Sequence, residues 1–158
     1  MTKQMELVEK LTKDAVKEVF EGMLSMKAEV EPPGALAQDA GGQIAGSVGF
    51  IGEANGVIYL YAGVSFARVI TSRMLGISEA EVDSDDMVND AVGELSNMVV
   101  GYVKSRLCDA GWPCTLTIPS IVRGQQLTVE SLAQVTRRVV GFRSGTHQFF
   151  AEMLIKES

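Results

Sequence analysis

Asp90-Ala91-Val92-Gly93-Glu94-Leu95-Ser96-Asn97-Met98-Val99-Val100-Gly101 is the stretch around which the rest of the chain is organised. Its period is helical. Val88, Ala91, Val92, Leu95, Met98, Val99, Tyr102 and Val103 recur at the spacing of one apolar helix face. At roughly 100° per residue, Asp90, Glu94 and Asn97 fall on the opposite face. Glu94 and Asn97 are three apart, so their side chains emerge as neighbours on that surface. Gly93 and Gly101 lie one turn to either side of Asn97. A glycine inside a helix costs about 1 kcal/mol relative to alanine, so two of them around one amide need a reason. Either they let another surface approach Asn97, or they let the helix pack tightly against its own chain.

Working outward, the acidic run Glu79-Ala80-Glu81-Val82-Asp83-Ser84-Asp85-Asp86 comes before the helix. It lacks the spaced ligands, turn glycine and closing glutamate of an EF-hand, so no metal site is expected. Its carboxylates suit the positive end of a helix beginning near Met87. Further upstream, Ser65 is expected to cap a short helix running to about Leu75, with Gly76 as its left-handed exit. Gln43 to Ile51 and Gly56 to Ala62 read as strands joined at Asn55-Gly56, a pair that favours a tight hairpin. Gly42, Gly46 and Gly49 lack the strand-to-helix context and Lys-Ser/Thr ending of a phosphate loop, and they read as close backbone packing.

The first helix is expected over about residues 4–26. Val8, Leu11, Ala15, Val16, Val19, Phe20 and Met23 point inward, and Lys10, Lys13, Lys17 and Glu18 outward. A strand at Lys27 to Val30 precedes the break at Glu31-Pro32-Pro33-Gly34. Downstream, the central helix runs to about Asp109, with Gly111 as its exit. Thr115 to Ile118 reads as a strand ending at Pro119, and Ser120 to Ser131 as a less regular stretch. Ala133 to Phe142 and His147 to Ile155 read as long strands joined at Arg143-Ser144-Gly145.

The two helices echo one another. Asp14-Ala15-Val16-Lys17-Glu18-Val19-Phe20-Glu21 aligns with Asp90-Ala91-Val92-Gly93-Glu94-Leu95-Ser96-Asn97, suggesting a duplicated unit of helix followed by strands. Where the second copy has Asn97, the first has Glu21.

At 158 residues the chain is expected to form one domain, 1–158, and its 46% hydrophobic and 22% charged content reads as a soluble globular protein. A formal charge of −6 with no basic stripe argues against a nucleic-acid partner. No apolar run reaches the roughly 18 residues that span a bilayer, and Met1 to Glu6 carries no secretory pattern. The expected compartment is the cytoplasm. Cys108 and Cys114 make neither a disulfide framework nor a metal quartet. Lone His147 has no partner set for a nucleophile triad and reads as structural, and Trp112 reads as the anchor of the helix-exit turn.

Asp-Ala-x-Gly-Glu-Leu-x-Asn-Met-x-x-Gly resembles the signature helix of the CheC/CheX family of chemotaxis phosphatases, which dephosphorylate the response regulator CheY. The family's E-x-x-N motif is matched here by Glu94 and Asn97. CheC-type members often carry two copies and CheX-type members one. With Glu21 in place of the first asparagine, this chain resembles the CheX type.

The resemblance implies an α/β (α+β) fold with long helices on an antiparallel or mixed sheet and a pseudo-twofold internal repeat. It also implies a homodimer built through sheet edges, which would cover the long terminal strands. The implied activity is hydrolysis of the aspartyl phosphate of a CheY-like receiver, by a chain that binds no cofactor itself while Mg2+ sits on the receiver. An amide carries a donor and an acceptor on one rigid group, so Asn97 is expected to hold the attacking water. By the resemblance, Glu94 pairs with a lysine of the partner. Asp90, Gly93 and Gly101 are expected to flank the docking surface, Asp90 chiefly as helix-start chemistry. The alternative is a receiver-binding adaptor that uses the same helix without turnover.

Overall fold

In the computed structural model, which describes residues 3–36, 39–128 and 134–156, three helices lie on one face of a seven-stranded antiparallel sheet. The order along the chain is α1 (Lys3–Leu24), β1 (Glu29–Glu31), β2 (Gln43–Gly52), β3 (Gly56–Gly63) and α2 (Val64–Leu75). A 3₁₀ turn (Glu79–Glu81) leads into α3 (Asp85–Asp109), β4 (Cys114–Leu116), β5 (Ser120–Gly124), β6 (Val135–Ser144) and β7 (His147–Lys156). The strands are arranged β1-β6-β7-β3-β2-β4, with β5 also paired to β2. That order is a palindrome in the two units expected from the sequence. β3 and β7 sit at its centre, β2 and β6 flank them, and β1 and β4 close the ends, while α1 and α3 each open their unit. The duplicated pattern is therefore a property of the fold as well as of the two helix sequences.

Alternation along the central strands explains the layering, because successive side chains point to opposite faces. Ile58 and Leu60 on β3, Phe149, Ala151, Met153 and Ile155 on β7, and Val48 and Phe50 on β2 are buried in the core shared with the helices. Phe20 of α1 stacks on Phe149 with ring centroids 4.7 Å apart, tying the first helix to the middle of the sheet. On the other face Glu152 is buried, accepting from the Tyr61 hydroxyl at 2.9 Å and pairing with Arg137. Burial first, and then the Glu152 hydrogen bond, push the Tyr61 hydroxyl well above its ordinary pKa.

Several expectations are corrected. Val64, not Ser65, opens α2, and Gly63 occupies the capping position without a side-chain bond. The cap comes from a distant residue: the Asp39 carboxylate accepts from the N–H groups of Ser65 (3.0 Å) and Gly41 (2.8 Å). A Cβ on Gly63 would lie 2.6 Å from Asp39 Oδ2, so glycine is what allows this closure. Ser120–Gly124, read as irregular, forms β5, because its residues pair with Ser47–Gln43 along the outer side of β2. α3 begins at Asp85, two residues before the expected start, because Ser84 caps it by accepting from Met87 N at 3.2 Å.

Met23 is 41% exposed, and Leu24 takes the inward position expected for it. Of the long terminal strands β7 is interior, while β6 has an open outer side over Val135–Val140 among the described residues. β7 lies between β3 and β6, and β1 pairs with β6 at Gly141, Phe142 and Arg143. The expected strand start at Ala133 and the end of the irregular stretch, 129–131, lie outside the described residues.

The Asp39 cap makes a stability prediction. Burial raises the Asp39 pKa, but hydrogen bonds from the Ser65 and Gly41 backbones and the Ser65 hydroxyl outweigh it and hold the carboxyl below its ordinary value. A folded-state pKa below the unfolded one means that the contribution is full above the unfolded value and is lost as pH falls through the folded one. Asp39→Ala should cost about 1 kcal/mol at neutral pH. The gap between the wild-type and variant melting temperatures should close below about pH 4. A gap independent of pH would show that the carboxylate is not the cap.

Candidate functional site: the exposed face of α3

Three contacts fix α3 against the sheet. At its start, the Ser84 cap is joined by Arg123 of β5, which donates to Asn89 Oδ1 at 2.7 Å and lies 3.6 Å from the Asp85 carboxylate. In the middle, Ser96 is fully buried and donates to Val92 O at 2.8 Å. A Cβ on Gly46 of β2 would stand 2.3 Å from Ser96 Oγ and 3.0 Å from Val92 Cγ1, so the helix rests on bare backbone there. Towards its end, Val99, Val100, Val103 and Leu107 enter the core.

These anchors leave Asp90, Glu94 and Asn97 exposed on one side, as the helical period requires. Glu94 and Asn97 are thus held on a rigid element with their chemistry facing outward. The apolar stripe read from the sequence is rotated slightly. Met98 and Tyr102 are only half-buried, while Val100 and Leu107 are buried.

The two motif glycines separate. Gly93 is buried, and a Cβ there would meet Pro119 at 3.7 Å and Ile121 at 3.8 Å. It lies beneath the β4–β5 connection, where a Cβ would make ordinary van der Waals contact. Gly101 has no heavy atom within 4 Å of the position a Cβ would take, and it stays accessible. On α1 the counterparts of the motif, Glu18 and Glu21, are likewise exposed, so the duplicated geometry carries two carboxylates in place of a carboxylate and an amide.

Elements outside α3 that position the site were missed in the sequence reading. Arg123 gave no signal in an apparently irregular stretch. Gly46 gave one, as a glycine in a strand, but its partner was not legible.

The remaining candidate groups are accounted for elsewhere. His147 stacks on Phe66 at 4.5 Å. Cys108 Sγ donates to Cys114 O at 3.9 Å, and burial, then neighbouring Cys108, raise the Cys114 thiol pKa, which disfavours a reactive thiolate. Trp112 donates its backbone N–H to Leu107 O at 2.9 Å and packs against the core at the helix exit. Among the described residues no three His, Cys, Asp or Glu side chains converge on a metal position. Among the described residues no helix is long and apolar enough to cross a membrane.

Comparison with known proteins places this geometry in a family. The CheY-P phosphatase CheX of Thermotoga maritima is 26% identical over 91 residues, which span 57% of this chain and 57% of that relative. The CheX structure from Vibrio vulnificus superposes with a TM-score of 0.82 at 24% identity, covering 98% of this chain and 99% of that one. The chain of a CheX–CheY–BeF3–Mg2+ complex from Borrelia burgdorferi gives 0.79 at 20% identity, covering 95% and 98%. At those identities the structures establish the fold. The model of the chemotaxis phosphatase CheX family matches residues 44–143, which hold β2 through β6 and the whole of α3, and on that match this chain belongs to the CheX family.

Proposed function

We propose that the protein hydrolyses the aspartyl phosphate of a CheY-like response regulator. Asn97 positions the attacking water and Glu94 docks the partner. The observation that carries this reading is the exposure of Glu94 and Asn97, one turn apart, on a helix anchored at both ends and in its middle. Membership of the CheX family and the CheY-P phosphatase activity named for the Thermotoga relative support it.

The chemistry needs little from this chain. An aspartyl phosphate is a reactive acyl phosphate, and its hydrolysis is promoted mainly by positioning and electrostatic stabilisation. The Asn97 carbonyl can accept from a water while the amide N–H donates to it or to a phosphoryl oxygen, so one planar group sets the line of attack. Glu94 cannot face the phosphate, because like charges repel. It meets a basic group of the receiver instead and fixes the register in which Asn97 reaches phosphorus. In this reading the Mg2+ ion belongs to the receiver, and the Borrelia complex of CheX with CheY holds BeF3 and Mg2+.

The test is to mix the protein with a phosphorylated CheY-like receiver and Mg2+ and follow release of phosphate. Acceleration above the receiver's own hydrolysis supports a phosphatase. Binding without acceleration makes the chain a receiver-binding adaptor. Glu94→Ala should raise KM by about tenfold with kcat largely kept, the pattern of a lost docking contact. Unchanged KM and affinity would remove Glu94 from docking.

A further inference from the structure

A groove of about 470 Å³ runs between α1 and α3, its Gly101 one helical turn from Asn97. Val19, Gly22 and Met23 line it from α1, and Met98, Gly101 and Tyr102 from α3. Its floor is kept open by the two glycines. A Cβ at Gly22 or Gly101 would meet no heavy atom within 4 Å, so the chain's own packing requires neither, in contrast to Gly46. Glycine is also among the poorest helix formers, so local structure does not call for it at either place.

The walls are apolar and accessible. Met23 is 41% exposed and Met98 half-buried, and the thioether side chain adapts readily to an apolar guest. Tyr102 is held in place, with the Arg106 guanidinium 3.3 Å from its ring centroid.

We infer that this groove is a specificity pocket for an apolar side chain that the phosphorylated receiver carries next to its phosphorylation site, flanked by a basic group. The inference rests on the phosphatase reading and concerns the same surface. Gly101 follows Asn97 by four residues, one turn along the same helix face, so a receiver seated with its phosphate at Asn97 also covers the groove. Exposed Glu18, Glu21 and Glu94 edge the same face, which favours a guest carrying positive charge beside its apolar group. A second copy of this chain is a poor occupant, since a twofold contact here would set these carboxylates against their own copies.

Gly22→Leu and Gly101→Leu fill the groove with a good helix former in open space, so both variants should melt at or above the wild-type temperature. Their affinity for a beryllofluoride-loaded receiver and their KM for the phosphorylated one should each worsen by about tenfold, with kcat within about twofold of wild type. Wild-type affinity and KM in both variants would overturn the pocket and leave the phosphatase reading standing. Wild-type protein that binds the loaded receiver without accelerating hydrolysis would remove the phosphatase, while the variants' weakened binding would still support the pocket. A wild-type self-assembly that dissociates in either variant by sedimentation would assign the groove to a second copy and overturn the inference. A receiver neither bound nor hydrolysed would overturn both readings.

Discussion

Asn97→Ala should lower kcat for phospho-receiver hydrolysis by about 10²-fold or more, with KM, receiver affinity and melting temperature near wild type. The size follows from what is lost. A single preorganised donor or acceptor at a developing charge is worth about 3 kcal/mol in comparable sites, and Asn97 supplies both functions to one water. The stability expectation follows from its position, since the side chain is exposed and the core face of α3 is formed by Val99, Val100, Val103 and Leu107. Asn97→Asp should be at least as inactive, because an ionised carboxylate keeps the acceptor, loses the donor and repels the phosphoryl group. The measurement is single-turnover phosphate release at saturating enzyme, which separates chemistry from docking. Turnover unchanged in Asn97→Ala would take the asparagine out of the mechanism.

The largest effect on stability is expected at Gly46, far from any chemistry. Gly46→Ala puts a methyl 2.3 Å from Ser96 Oγ, 3.0 Å from Val92 Cγ1 and 3.3 Å from Val92 O. The last of these is backbone, so the helix must lift from the sheet. Such overpacking costs about 1–3 kcal/mol, which in a domain of this size lowers the melting temperature by several degrees. Ser96→Ala in the same chain removes the nearest clash and should restore part of the loss, leaving the part due to Val92. A displaced α3 also moves Asn97, so kcat should fall with stability in Gly46→Ala and recover with it in the double variant. Equal melting temperatures for Gly46→Ala and wild type would show that α3 does not depend on this close approach.

Three glycines in or against α3 show how far residue pattern reaches. Each read as a position where a side chain is in the way, but the sequence could not say in whose way. Gly46 clears space for Ser96, Gly93 is buried but would hold a Cβ in ordinary contact with Pro119 and Ile121, and Gly101 is open. The difference lies in what sits opposite, and those neighbours come from segments remote along the chain. The same limit explains the Asp39 cap on α2, because capping was sought in the adjacent residue and is supplied across a loop. It explains β5 as well, which has no strand pattern of its own strength and exists because β2 offers it an unpaired side.

The sequence by itself determined the family, the helix that carries Glu94 and Asn97, the outward direction of those two side chains and the duplication of a helix-plus-strands unit. All of these are set by local periodicity and by residue identity along a short stretch. Tertiary structure decided which strands lie inside the sheet, which glycines serve packing, how α3 is held, and that Met23 and Gly22 of the first helix share a groove with Met98 and Gly101 of α3. Each of those depends on contacts between segments distant in the chain, where the position of a neighbour is fixed by the packing of the whole core and leaves no periodic trace in either segment.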